Sequence, residues 1–467
     1  MPTLMSGLNI ALRSLLAQAQ AVEITEHNVA NAGAPGYRRQ APVLAAAQPD
    51  MLYGIDYGLR AGLAGAGVEI SSIRRFNAEF YDTRFRASAA AWKQAAAHSQ
   101  GLSEMEALLN ETGDQGMPAQ LSAFWNNWQS LAADPTSIPL RTQILTDAQQ
   151  LTTAFHDRAV SLSQMRADMN QQIRVKVGEI NDAAQQVAAL NAQIARYQAA
   201  GQQPNDFLDS RDRLLDRLAE ISGAVSYFQP DGQVAVSIGG RALVSASSSV
   251  SLQAQPDPAN PSLLLVTWQD GAAFSAKHGE LKGIMQVRDT DIPQQLAALD
   301  QLASGMASQV NALHRVGFGL NNITGLDFFT GSDALSLNVN AALDAPSLAA
   351  ASAAIQPADG SLADQIAALR DVKTMNGGLE TLLDFSVHQA ALLGQQVQSA
   401  NEDAIFQQQI TTAIDEQRES LGGVSLDEEA ANLVRYQKAY QAAARIMTAY
   451  DEMLDQIINR MGLVGRS

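Results

Sequence analysis

From Leu426 onward an apolar or thioether residue returns every seventh position: Leu426, Leu433, Tyr440, Met447, Leu454 and Met461. A companion row three residues on reads Tyr436, Ala443, Tyr450 and Ile457, with Glu429 as its one polar interruption at the start. A seven-residue apolar period predicts one long helix whose seam must find a partner helix. The seam spans 36 residues, ~54 Å at ~1.5 Å per residue. The other terminus has its own seam in Leu8, Leu12, Leu15, Ala19, Val22 and Val29. Such stripes are most often ordinary bundle core. Their length and their place at both extremities favour a chain built for assembly over one built for catalysis.

Composition narrows the options. A chain of 467 residues suggests about three domains, and 46% hydrophobic residues supply ample core. A formal net charge of -17 opposes nucleic-acid binding, which needs a basic footprint. Cysteine is absent, so disulfides and thiolate chemistry are excluded. No stretch approaches the ~20 apolar residues of a membrane span. The N-terminus has no basic region leading into an apolar core, so no cleaved secretory signal is expected.

Periodicity and breakers predict an α+β fold, elongated and multi-domain. Its main part is a helical bundle or coiled coil built from both termini, with a small antiparallel β domain inserted. Residues 4–31 read as a helix ended by Asn31, Gly33, Pro35 and Gly36. Residues 34–75 read as extended, with a short strand through Val68, Ile70 and Ile73. Helices follow over 77–112, 117–132, 139–201 and 206–222, the last with an acid- and base-rich face at Asp209, Arg211, Asp212 and Arg213. At Gly223 the period becomes alternating, with strands expected over 234–238, 241–245, 250–254 and 263–268. Helix resumes over 279–314, 315–360 is irregular, and a helical hairpin is expected over 361–461 with its turn at Gly422-Gly423. The expected units are 1–75, 76–222, 223–280, 281–380 and 381–467.

Candidate chemistry is sparse. His27, His98, His156, His278, His314 and His388 nowhere stand at metal-ligand spacing, and read as surface or helix-packing residues. Gly62, Gly65 and Gly67 precede a strand pattern where a phosphate loop would precede a helix, so they read as a turn. Asp427-Glu428-Glu429 follows Ser425 as S-x-x-E, which predicts a capping box at a helix start. No catalytic, cofactor-binding or metal-binding residues are assigned.

The run Asn28-Val29-Ala30-Asn31-Ala32-Gly33-Ala34-Pro35-Gly36-Tyr37-Arg38-Arg39 resembles the signature N-x-x-N-x-x-T-P-G-Y-x-R of bacterial flagellar axial proteins, the rod, hook and hook-associated family. Asn28, Asn31, Pro35, Gly36, Tyr37 and Arg39 carry the match, and Ala34 replaces the usual Thr. The C-terminal run from Ser425 to Asp455 resembles the partner motif. Length, the long helices after the first motif, and Ser210-Arg211-Asp212-Arg213 leading into the β segment look most like the hook-associated branch at the hook–filament junction. The resemblance implies a non-enzymatic structural part exported unfolded by the flagellar type III route to the extracellular flagellum. It also implies terminal helices that order on docking, and a β domain facing outward. The partners it implies are further copies of the chain, the hook protein, the second junction protein and a cytosolic export chaperone. A hook or distal-rod protein, a secreted enzyme with its site in 223–380, and a coiled-coil envelope adaptor remain alternatives.

Overall fold

The computed structural model describes residues 2–48, 65–109 and 116–460. Helix α1 (Pro2–Ala30) is followed by a turn and a ribbon of antiparallel strands β1 (Gln40–Ala46) and β2 (Val68–Arg75) that lies against it. Then come α2 (Glu79–Leu109), α3 (Met117–Ala133), α4 (Ile138–Ala199) and α5 (Asn205–Ser222). Pro139 in the first turn of α4 has no N–H to lose, and Gly201 at φ +76° follows its last turn. At 62 residues α4 is roughly 93 Å long, the beam that makes the molecule elongated.

Strands β3 (Val225–Phe228), β4 (Val234–Ile238), β5 (Arg241–Ser245) and β6 (Ser248–Ser249) form one antiparallel sheet in that order. Strands β7 (Leu252–Pro256) and β8 (Leu264–Trp268) form a second. The sheets have no separate core. Val234, Val236, Ile238, Val266 and Trp268 join the apolar cluster of Ile173, Ile180 and Val187 on α4. Three asparagines about three turns apart on α4 grip the strands by their backbones. Asn170 accepts from Leu264 N–H, and Asn181 bonds both backbone groups of Leu252. Asn191 accepts from Val234 N–H and donates to Val234 O and Ala246 O.

The return helix expected over 279–314 is not uniform. Short α6 (Glu280–Gln286) passes through a π-turn (Val287–Asp291) into α7 (Ile292–His314). Pro293 cannot donate back along the helix, and Ile292 N–H reaches Val287 O. Residues 315–360 are irregular as expected, with tiny paired strands β9 (Phe329–Thr330) and β10 (Asn338–Val339). Phe328 and Phe329 fill the end of the bundle against Phe124 and Trp128. Fully buried Arg141 ties the start of α4 to this region by donating to the carbonyls of Pro135 and Leu348.

The C-terminal hairpin is shorter than expected. Helix α8 (Ser361–Ala368) is separate, and a loop precedes α9 (Leu382–Gly422). Thr381 starts α9 with a reciprocal capping box to Asp384 that apolar periodicity does not reveal. Helix α10 (Leu426–Asp455) follows, closed by a π-turn (Gln456–Arg460). The strand expected at Val250 is displaced to Leu252, behind the short β6. Helix α9 lies along α2, and α10 lies along α1.

Candidate assembly surface

The turn after α1 is assembled by its own side chains. Asn31 Nδ2 donates to His27 O and closes the helix end, while Gly36 takes φ +73°, a left-handed conformation open to glycine. This turn aims Tyr37, Arg38 and Arg39 back at the body. Tyr37 Oη and Gln40 N–H both donate to Asn28 Oδ1, at 2.9 and 3.0 Å. Asn28 Nδ2 donates to Gln40 O at 2.7 Å and to Glu429 Oε2 at 2.9 Å. Arg39 Nε reaches the other oxygen, Glu429 Oε1, at 2.8 Å, and its terminal nitrogen pairs with Glu428 at 2.6 Å. The two terminal motifs, 401 residues apart, therefore meet in one network. Burial, then Asp209, Asp206 and Glu429, push the Tyr37 phenol well up, so it stays a donor.

Glu429 is not a defect in the seam. It is 2% exposed and occupies the companion row that faces α1, ahead of Tyr436 at 7% and Ala443 at 3%. The capping box expected at Ser425 is half made: Ser425 Oγ accepts from Glu428 N–H, but the Glu428 carboxylate turns to Arg39. Of the first row, Leu426 and Tyr440 are exposed, while Leu433, Met447 and Leu454 are half-buried. Tyr450 and Ile457 are half-buried, and Met461 lies outside the described residues, as does Gly62.

Helix α1 turns a small-residue face inward. Ala11, Ala21, Thr25 and Asn28 are buried, as are Ala17 and Ile24. The leucine seam lies elsewhere on the helix. Leu12 and Val29 are exposed, with Met5 and Leu16 beside Leu12, and Leu8, Leu15, Ala19 and Val22 are half-buried. Among the described residues, pairing of the termini within one chain thus uses one face and leaves Met5, Leu12, Leu16 and Val29 exposed on another.

Beneath the terminal pair lies a buried charge cluster. Arg38 pairs with Asp82 at 2.6 Å, Arg75 with Asp209 and Asp212, Arg86 with Asp212 and Asp216, and Arg418 with Asp216. Arg38 and Arg75 come from the segment after α1, Asp82 and Arg86 from α2, the other aspartates from α5, and Arg418 from α9. Burial pushes the carboxyls of Asp82 and Asp209 up, against the pull of Arg38 and Arg75. Burial also works to raise Asp212, but Arg75 and Arg86 outweigh it and hold that carboxyl below the usual range. Arg39 N–H donates to Gly422 O, so the cluster and the turn join the terminal pair to the α9–α10 corner. Of the acid- and base-rich face on α5, Asp209, Arg211 and Asp212 enter this interior, while Arg213 bonds Ser210 at the surface. Arg211 is held by Asn191 and the Gly232 carbonyl, with its pKa lowered to about 10 by burial.

Arg38 is the participant that the motif reading passed over, and its position inside the signature run was the available signal. Of the two readings given for the histidines, His314 takes the packing one: it is buried between Leu326 O and Ala349 N–H. Among the described residues no group of three His, Asp or Glu side chains is placed to hold a metal, and no helix is long and apolar enough to cross a membrane.

Comparison with known proteins agrees with this geometry. Residues 102–329 match the model of the flagellar hook-associated protein FlgK helical domain, and residues 422–461 match that of the flagellar basal body rod FlgEFG protein C-terminal region. The chain is 30% identical to flagellar hook-associated protein 1 of Bacillus subtilis over 98% of this chain and 99% of that one. It is 25% identical to the protein of the same name in Escherichia coli over 97% and 99% of the two chains. The solved flagellar hook junction protein FlgK from Burkholderia pseudomallei superposes with a TM-score of 0.64 at 15% identity, over 73% of this chain and all of that one. With both terminal motifs interlocked and relatives matched end to end, the chain belongs to the flagellar hook-associated protein 1 family.

Proposed function

We propose that the protein is a non-catalytic structural adaptor between the flagellar hook and the filament. The observation that carries this reading is the division of labour on α1: the small-residue face pairs with α10, and the leucine stripe is left for a neighbouring subunit. Burying one leucine contributes ~1.5–3 kcal/mol, so a few such residues offset the ordering and association costs of docking a helix. Repeated head-to-tail docking produces a ring or a helical layer. In this reading the terminal pair contacts the hook protein on one side and the second junction protein on the other. The C-terminal helix is held by an export chaperone before secretion, and the chain leaves through the type III route without a cleaved signal. Substituting Leu433 or Leu454 by Asp, at half-buried positions along α10, should block incorporation.

Deleting the gene and imaging the cells tests the placement. Bare hooks with monomeric flagellin in the medium are the expected result. Intact filaments would overturn it, and missing hooks would move the protein to the hook or rod.

A further inference from the structure

A heptad seam can slip by seven residues and still bury apolar side chains, so a helix pair needs something that chooses its register. Two contacts at opposite ends of the α1–α10 pair do so. Asn28 bonds Glu429 at one end. At the other, a Cβ added to Gly7 would collide with the hydroxyl end of the Tyr450 phenol, so that end rests on bare backbone. Asn28 follows Gly7 by 21 residues, and Tyr450 follows Glu429 by 21 residues, three heptads in each case. The helices run antiparallel and stay in step. Counting inward by heptads sets Ser14 against Ala443 and Ala21 against Tyr436, and Ala21, Ala443 and Tyr436 are all buried.

We infer that the layers Gly7/Tyr450, Ser14/Ala443, Ala21/Tyr436 and Asn28/Glu429 set a single register, with Gly7 and Glu429 as its specificity-determining residues. Each large side chain meets a small one, and the single polar layer meets its own kind. A slip in one direction carries Glu429 onto Ala21 and away from Arg39 and Asn28, leaving a buried charge unpaired. A slip in the other drives Tyr436 onto Asn28 and Tyr450 onto Ser14. Gly7 weakens a helix interior by itself, and the seat it provides for Tyr450 accounts for its presence. One polar layer that fixes register at a cost in stability is a known device of coiled coils. The two ends of one chain thereby select each other, and the leucine stripe faces outward.

The absence of cysteine allows the register to be read by paired cysteines. In the full-length protein under mild oxidation, Ser14→Cys with Ala443→Cys should close an intramolecular disulfide. It should close at least tenfold faster than Ser14→Cys paired with Tyr436→Cys or with Tyr450→Cys. Gly7→Leu should slow the matched pair at least tenfold, and adding Tyr450→Ala should restore it, with circular dichroism checking that the helical body stays folded. Equal rates for the three pairs, cross-links only between chains, or no effect of Gly7→Leu would overturn the inference. The inference rests on the terminal pair being the assembly element, yet the two fail separately. A matched disulfide in a protein absent from hook ends would support the register and count against the junction role.

Discussion

Glu429 shows how one side chain can join two ends of a chain. Its carboxylate is buried, and its two oxygens are claimed by Asn28 and Arg39. Removing one partner of a buried charged pair leaves the other uncompensated, which costs ~3–5 kcal/mol. Glu429→Ala should therefore strip hydrogen-exchange protection from α1 and α10 while leaving α4 protected, and Arg39→Ala should do nearly the same. The double variant should be less damaging than the sum, because both single changes break one contact. Additive effects would mean the pair is not coupled. His314 predicts a pH dependence. Its Nδ1–H donates to Leu326 O and its Nε2 accepts from Ala349 N–H, so the neutral ring is the one that fits. Burial lowers its pKa, outweighing Leu326 O and the nearby Asp327 carboxylate. The unfolded side chain takes a proton near pH ~6.5 that the folded one resists. The stability from the neutral ring is thus complete above that pH and is lost as pH falls from there through the depressed folded value. Urea melts between pH 7.5 and 5 should show this loss, and His314→Gln should flatten it. An unchanged slope in the variant would assign the pH dependence to other groups.

At the scale of elements, α4 acts through its three asparagines as much as through its apolar face. Asn191→Ala would remove the side-chain bonds to Val234 N–H, to the carbonyls of Val234 and Ala246 and to one Arg211 nitrogen, which keeps Gly232 O. Each buried orphan costs ~1–3 kcal/mol where water cannot replace the lost bond, so a loss of at least ~2 kcal/mol in urea melts is expected. A loss under ~0.5 kcal/mol would mean that water enters and replaces the bonds. Apolar periodicity located α1, α4, α5 and α10 within a few residues, because a helix long enough to repeat its stripe many times is hard to mistake. It could not locate the asparagine grips, the Thr381 box or the buried aspartates, since a polar residue reads as surface until its partner is known. Glu429 was visible as an interruption of the seam and as part of an acidic helix start, and the motif resemblance named Asn28 and Arg39 without saying what they hold. The leucine row on α1 was legible as a stripe, but not which face α10 would choose. Small residues carry no hydropathy signal, and here they make the closest approach.

For the whole molecule, the proposed function has folding and assembly draw on different sides of the same helix. The body is one continuous core along a beam of about 93 Å, tied to the terminal pair through Arg38, Arg75 and the aspartates of α5. Substitutions on the outer face of α1 should consequently separate the two processes. Leu12 and Leu16 are 40% and 59% exposed, and surface changes of this kind normally shift stability by less than ~0.5 kcal/mol. Leu12→Asp with Leu16→Asp should therefore leave the circular dichroism melt of the monomer unchanged. The same pair placed in a subunit interface would set two carboxylates in an apolar seam, with the full penalty of unpaired burial. Cells carrying the double variant should show bare hooks and shed flagellin, although the protein reaches the medium in normal amounts. Ala21→Asp, on the inner face, should instead disorder α1 and α10 in the isolated monomer. Normal filaments on the double variant would remove the leucine stripe from the assembly interface and leave α10 as the remaining surface to test.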